Sequence, residues 1–538
     1  MRGAVIAALL MPGAVGLVQA GAGGGGSGEG GGGLQQRVDA ILKDLSAEDF
    51  GTRQRASKAL DQLPADAFEM LEKVLADAKT DIEARQRIEA AMPSLQRRVA
   101  EEIRRRRGAR DQGAELAEAP ASYEKVGRRN PAWDEAVGEG VRLFFGKPPV
   151  DARRAAAAFK KALESGCGDP LVMHLFAAAD RNLPGADQKN DRELAELAAG
   201  KYAASAGRPS AYPARRRMEG MLFALRMIRD VPGDRSTDDR VKRALFDEAV
   251  ALWPEAIHDP GISTRQLDEL AAAVLDRATA FGTEVSEPLL DRLAVPLAGV
   301  PAARHIYNVL KGREEMREAW KSRGNRVAAM IPAENLQEMT RHVSLARAYF
   351  EQAFALDVFN PDAPSYMIEV ELLDPQGRPE MEKWFERAMI AGPNNLYACN
   401  LKLNYLLPRW YGSHEEMLAF GRECLKKGFK SRIPLTLIAA HQQIAEEEGQ
   451  GDGYFASPEV WADVKAVYEG LIAANPSNMN DRGAYLQFAV LAGQWATARE
   501  QQERIGNHPD MAVFKTPEHY GEICAQIAEH PPGARGGN

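Results

Sequence analysis

The sequence predicts an all-α protein built as an α-solenoid of stacked antiparallel helix pairs. Three observations carry that prediction. After Leu34 apolar residues recur at three- and four-residue steps, the stripe a helix buries, and the two-residue alternation of a half-buried strand is nowhere sustained. Pro, Gly and Asn divide these stripes into short runs, each a helix with one apolar face that must stack on a neighbour to hide it. Finally, 538 residues at 45% hydrophobic and 27% charged is globular composition. It excludes wholesale disorder, collagen-like sequence and a polytopic membrane protein. Lys plus Arg number 68 against 76 Asp plus Glu, a net charge of -8. No global basic field would hold a phosphate backbone, so nucleic acid is not an expected partner.

Along the chain, Met1 and Arg2 precede an apolar stretch from Ala4 to Val18 and then the small residues Ala20, Gly21 and Ala22. Residues 1–22 read as a secretory signal peptide. The run falls short of the roughly 20 residues a bilayer needs; the alternative is an uncleaved interfacial anchor. The expected location is exported, periplasmic or extracellular, with no membrane span after signal cleavage. Residues 23–33, glycine except for Ser27 and Glu29, read as a flexible tether.

Residues 34–107 form a first helical block. Leu34, Val38, Ile41 and Leu45 make one stripe; Ala56, Leu60 and Leu63 a second; Phe68, Leu71 and Leu75 a third; Ile88, Ala91 and Leu95 a fourth. Ser46 with Asp49, and Thr80 with Glu83, have capping-box spacing. The stretch Leu45 to Leu60 resembles a degenerate HEAT-like helical pair. Residues 108–139, rich in Ala, Glu and Pro with few core formers, read as a charged linker. Arg104 to Arg107 lie just before it and have two readings, a grip on an anionic partner or a solvated helix end.

A second pattern follows: a small residue, a large aromatic four later, a small residue three after that, then a helix stop. Ala155, Phe159 and Ala162 fit before Pro170; Ala346, Phe350 and Ala353 fit before Pro361; Met381, Phe385 and Ala388 fit before Pro393. Val464, Tyr468 and Leu471 give a looser copy before Pro476, and Gly493 with Ala498 marks another helix pair. Small residues let two helices approach, and the aromatic fills the gap to the next pair. This resembles the second helix of the tetratricopeptide repeat, with a Sel1-like or irregular α-solenoid as the alternative. The array divides into 140–330, 331–430 and 431–530, with a disordered tail at 531–538.

Within it, Leu396 to Gly421 resembles a bacterial domain-of-unknown-function family, DUF4034, through a Pro-Arg-Trp-x-Gly-Ser turn. Pro408, Arg409, Trp410, Gly412, Ser413, Glu415, Glu416 and Met417 carry the match. The resemblance implies a repeat-type fold and assigns no chemistry.

Motifs of catalysis fail on spacing. Gly140 to Lys147 has one residue too many for a phosphate loop, and Pro148 stands where Ser or Thr would hold magnesium. His414-Glu415-Glu416 lacks the second His of a zinc helix, so His414 reads as a cap or surface residue. Glu369 and Glu371 point to different helix faces, and Asn475 to Asp481 reads as a connector rather than a calcium loop. No Gly-x-Ser-x-Gly elbow occurs. Four cysteines without CxxC spacing suit no zinc or redox motif; Cys399 with Cys424 would bridge helices in an oxidising compartment, or all four are small buried hydrophobes. No catalytic residue, metal or cofactor is expected.

The candidate binding residues are Tyr397, Asn400 and Asn404, at i, i+3 and i+7 on one helix, with Arg409 and Trp410 at its end. Tyr and Trp supply broad rigid contact, Asn reads main-chain amides and Arg forks onto a carboxylate. The alternative has Trp410 wedged between helices and Arg409 paired with a Glu for structure alone. The expected function is non-covalent binding of a protein or peptide partner on the concave face of the array. A competing class is an envelope enzyme or accessory subunit acting on wall polymer, in which Asp, Glu or His side chains from separate repeats would converge.

Overall fold

The computed structural model describes residues 31–531 apart from short stretches between elements, the longest 281–286 and 325–329. The signal segment, the tether as far as Gly30 and the tail from residue 532 lie outside the described residues. Helices make up the described chain, and no strand occurs among the described residues.

The first block comprises α1 (Gly31–Leu45), α2 (Phe50–Leu60), α3 (Phe68–Ala76) and the beginning of α4 (Ile82–Val126). All four sequence stripes meet in one core: Val38, Leu45, Leu60, Leu63, Leu71, Ile88 and Leu95 are buried together, with Leu34 and Phe68 at its edge. Gly31 to Gly33 belong to α1 rather than the tether. The expected caps move by a few residues. Asp49, not Ser46, caps α2 by accepting the Thr52 amide at 2.7 Å. Asp81 caps α4, while Thr80 donates back to the Val74 carbonyl at 2.6 Å and closes α3. Asp reaches the amide two or three residues on with a charged acceptor, which favours it over Ser or Thr there.

Helix α4 corrects the linker expected over 108–139. It is one helix of 45 residues, about 68 Å long at 1.5 Å per residue. It leaves the first core at Leu95 and enters the next at Ala119 and Tyr123.

The array follows as α5 (Asp134–Phe144), α6 (Ala152–Glu164), α7 (Pro170–Asp180), α8 (Gln188–Ala204), α9 (Ala214–Asp230), α10 (Arg235–Ala251), α11 (Trp253–Ala256), α12 (Thr264–Ala280), α13 (Glu287–Leu297), α14 (Arg304–Arg323) and α15 (Ala333–Leu356). It continues through α16 (Asp362–Leu373), α17 (Arg378–Ala391), α18 (Leu396–Tyr405), α19 (His414–Lys426), α20 (Leu435–Glu448), α21 (Pro458–Ala474), α22 (Met479–Leu491), α23 (Trp495–Ile505), α24 (Met511–Phe514) and α25 (Pro517–Ala528). Most helices pack on the next, as in a solenoid, from α5 to α11 and again from α13 to α18, and helices further apart also touch: α5 with α7, α7 with α9, α9 with α12, then α14 with α16, α16 with α18 and α18 with α20. These alternate helices form an inner layer. Helix α14 joins the array's two main cores, giving Ile306 and Leu310 to one and Val309 and Met316 to the other.

The small-and-aromatic pattern has a physical partner that periodicity did not show. Phe159 and Phe350 are fully buried, and each ring lies on a glycine of the preceding helix: a Cβ at Gly140 would stand 2.6 Å from Phe159, and one at Gly312 would stand 2.5 Å from Phe350. Gly140 is thus a packing residue of α5. Cys167, Cys399 and Cys424 are buried free thiols and Cys524 a half-buried one.

Asp191, on α8, is the fully buried carboxylate with both oxygens left without a hydrogen-bond partner among the described residues. Burial, reinforced by Asp180 and Asp187, pushes its acid up to about 7. The folded state therefore favours the protonated form, and stability present near the unfolded carboxyl range at pH 4 is lost as pH rises toward 7. Asp191→Asn should melt progressively higher than the wild type between pH 4 and pH 7, read as a widening gap in thermal midpoint. Gly312→Ala should cost about 1–3 kcal/mol by overpacking the Phe350 ring. Gly200→Ala, where a Cβ meets open space on α8, should stabilise by about 0.5–1 kcal/mol; chemical denaturation of the two variants checks the contrast.

Candidate functional site

The middle of α4 makes a contact unlike any other in the protein. Between Ala100 and Ala119 its only buried side chain is Asp111. What holds it to the array is a row of charged groups at three-, four- and seven-residue steps, one face of a helix. Arg97 reaches Glu386 at 3.3 Å. Arg104 donates to the Ile390 and Ala391 carbonyls at 3.0 and 2.6 Å, closing the C-terminus of α17. Arg107 forks onto Asp357 at 2.8 and 3.2 Å. The polarity then reverses. Asp111 accepts from Arg265, and Glu115 and Glu118 accept from Arg215 and Arg216 at the start of α9, with Gln266 also donating to Glu115.

Most of these partners sit at the turns between successive pairs, so α4 runs along one rim of the array. The arginine run thus grips the chain's own helix ends through Arg104 and Arg107, while Arg105 and Arg106 pair locally with Glu102. At the acidic end the pairing is buried: the Arg215 and Arg216 side chains are 6% and 4% exposed. Burial opposes charge on Arg216, yet Glu219, Glu118 and Glu115 together hold its guanidinium above its ordinary range.

From Asp357 a polar path leads to the inner layer. Asn360, in the turn before α16, donates to Asp268 of α12 at 2.8 Å and accepts the Asp362 amide at 2.8 Å. Burial raises both Asp268 and Asp362, and each carboxyl also answers to its neighbours: Asp362 raises Asp268, and Arg313 draws Asp362 back. His305, buried on α14, is lowered by its burial.

Beyond lie two aromatic stations. Arg313 stands 5.1 Å above the Tyr366 ring, which stacks on Phe350 and meets Tyr397 edge-on at 5.5 Å. Trp320 meets Trp410 edge-on at 6.1 Å, with Arg323 4.9 Å above Trp410, and the Trp320 indole donates to Glu369 at 2.7 Å. Burial raises Glu369, against the pull of the Trp320 hydrogen bond.

The five sequence candidates separate. Tyr397, 47% exposed, and Trp410, half-buried, belong to this strip. Asn400 is exposed and Asn404 half-buried on α18, with no side-chain hydrogen bond among the described residues. Arg409 turns away to Glu447 of α20 at 3.3 Å, beside His414, which bonds the same Glu447 at 3.0 Å. The Pro-Arg-Trp-x-Gly-Ser turn is itself explained by packing. A Cβ at Gly412 would stand 2.4 Å from the Leu406 carbonyl oxygen, Tyr411 donates to the Leu372 carbonyl at 3.1 Å, and Ser413 caps α19 by accepting the Glu416 amide. Arg313, Trp320, Arg323, Tyr366 and Asp268 escaped the sequence reading because they sit on helices distant in sequence; their inward spacing on α14, at 313, 320 and 323, was the available signal.

Residues 322–429 match a family model described as "Domain of unknown function (DUF4034)". The match includes Arg323, Tyr366, Glu369, Tyr397 and Trp410 and leaves out the array before α14's end. No curated protein matches the chain.

Removing the acids at the buried end of the α4 contact leaves two buried guanidiniums to share Glu219. Glu115→Gln/Glu118→Gln should cost about 3–5 kcal/mol and open residues 101–118 to limited proteolysis. Arg107→Gln, whose side chain is 46% exposed, should change stability by less than about 1 kcal/mol and leave the cleavage pattern intact.

Proposed function

We propose that the protein is an exported helical-repeat scaffold, tetratricopeptide-like in its array and HEAT-like in its first block, that binds a protein or peptide partner non-covalently on the array's inner face. The observation that carries this reading is the pair of aromatic and arginine stations on α14, α16, the start of α18 and the turn that follows it. In each, a guanidinium lies over a ring. Arg323 already donates one N–H to the Gly324 carbonyl at 3.1 Å, which is the kind of main-chain carbonyl a guanidinium laid on a ring can meet edge-on while the rings cover apolar side chains. Stacked helices hold such groups in place before binding, so little ordering is lost on association. The grip on α4 gives the reading a precedent within the chain, because the array already holds one helix by side-chain forks and capped carbonyls. No bond need be made or broken.

One observation favours a second reading, an envelope enzyme acting on wall polymer. Asp268 and Asp362 come from separate helices, share Asn360, and are both raised by burial, which suits a general acid.

The test places a photo-crosslinking benzoylphenylalanine at position 397 or at the exposed Glu351 position of α15 and irradiates the full chain in its native envelope. The scaffold reading expects a discrete adduct from 397, none from 351, and loss of that adduct with Trp410→Ala. No adduct, or equal adducts from both positions, removes the reading. Hydrolysis of wall polymer by the wild type that Asp268→Asn abolishes would put the enzyme in its place.

A further inference from the structure

A cavity of about 420 Å³ opens between α4, α7, α9 and α12, on the stretch of the inner layer that precedes the aromatic strip. This is within the roughly 300–1,000 Å³ usual for small-ligand sites. Phe145, Phe223, Leu222 and Leu270 supply its apolar lining.

Its two ends carry opposite charge. Helices α9 and α12 run parallel here: their starts meet at Glu115, through Arg215 and Gln266, and their ends meet where Arg229 lies 3.7 Å from Asp276. Each helix passes from acid to base in the same direction, Glu219 to Arg226 on α9 and Glu269 to Arg277 on α12. At 1.5 Å per residue those separations are about 10 and 12 Å.

At the basic end, Arg181, Arg226, Arg229 and Arg277 converge on only two carboxylates. Asp230 receives Arg181 at 3.0 Å and Arg229 at 2.8 Å, with Arg226 3.5 Å away, and Asp276 receives Arg277. At the acidic end, Asp111, Glu115, Glu118, Glu219 and Glu269 share three guanidiniums, those of Arg215, Arg216 and Arg265. Neither surplus is cancelled within its own end. In the wall beside Gly220 stands His174, buried to 8% exposure, with Nδ1 lacking any hydrogen-bond partner.

We infer that this cavity binds a short apolar peptide with free termini, its ammonium toward Glu219 and Glu269, its carboxylate toward Arg226 and Arg277, and its side chains against Phe145, Phe223 and Leu270. Three extended residues span about 10 Å, the distance between the charged ends. A lone anion would leave the acidic surplus uncompensated and a lone cation the basic one; a molecule charged at both ends answers both. The site is separate from the aromatic strip, so the scaffold reading and this one stand or fall by different measurements.

The full chain is titrated by calorimetry with the tripeptide Leu-Ala-Leu, its N-acetyl form and its C-terminal amide. Binding of the free peptide, weakened at least tenfold by either block, is the expected result. Arg226→Gln, a half-exposed side chain, should weaken the free peptide tenfold and leave the amide's residual binding unchanged. Ala273→Leu, which fills the cavity from α12, should abolish binding; circular dichroism of both variants confirms that the helices remain. No binding of the free peptide, equal binding of acid and amide, or equal loss for both in Arg226→Gln overturns the inference.

Discussion

The contact on which the rest depends is the pairing of Glu115 and Glu118 on α4 with Arg215 and Arg216 at the start of α9. Four charges with little access to water are costly to assemble, and the cost is recovered only because each guanidinium meets several carboxylate oxygens in good geometry. Glu219 joins from within α9, so that Arg216 is held by three acids at once. Once made, the contact has consequences at both ends of α4. It fixes the rod's axial position, which places Arg104 under the carbonyls of Ile390 and Ala391 and Arg107 against Asp357. The rod's first turns belong to the core of the first block, so that block is carried at the far end.

The array and its rim are held by different forces. Within the array, helices meet through dispersion and burial, with glycine under an aromatic ring as the recurring joint. Along the rim, between Ala100 and Ala119, apolar burial is absent and complementarity of charge does the work. An apolar seam tolerates sliding by a turn, since one Leu replaces another. A seam that is basic at one end and acid at the other does not, because a one-turn slip would set Arg107 toward groups placed for Arg104 and bring unpaired charges together. Register is therefore the property this seam specifies most strongly.

That division also explains what was legible in the sequence. Every stripe found by apolar periodicity lies in a core, from Val38 and Leu45 to Val464 and Leu471, because burial is what the period records. The linker expected over 108–139 differs from the structure for the same reason: up to Ala119 the helix is held by polar groups and leaves no apolar stripe. The spacing Arg97, Arg104, Asp111, Glu118, repeating every seven residues, was present throughout but counts only if charges are scored as contact residues. Caps shifted by a few residues because Ser, Thr and Asp compete for the same amides, and the winner depends on a turn geometry that spacing does not contain. Arg409 left the predicted site because α20 offered Glu447, a carboxylate more than thirty positions away in sequence.

The inner layer shows how one architecture separates selectivity along its length. Near α9 and α12 the surface is polarised end to end, with acids and bases fixed on parallel helices. Near α14, α16 and α18 it is aromatic, and its cations lie flat on rings. In the inference drawn above, the first arrangement would discriminate by the charge at a ligand's ends, since a buried terminus without its counter-charge is expensive. In the proposed scaffold, the second would discriminate by shape and area, since a ring accepts many apolar groups but only within its own footprint. Asp268, Asn360 and Asp362 lie at the junction, where the path from Arg107 turns inward. A polar bridge there ties the turn before α16 to α12, between the polarised stretch and the aromatic one.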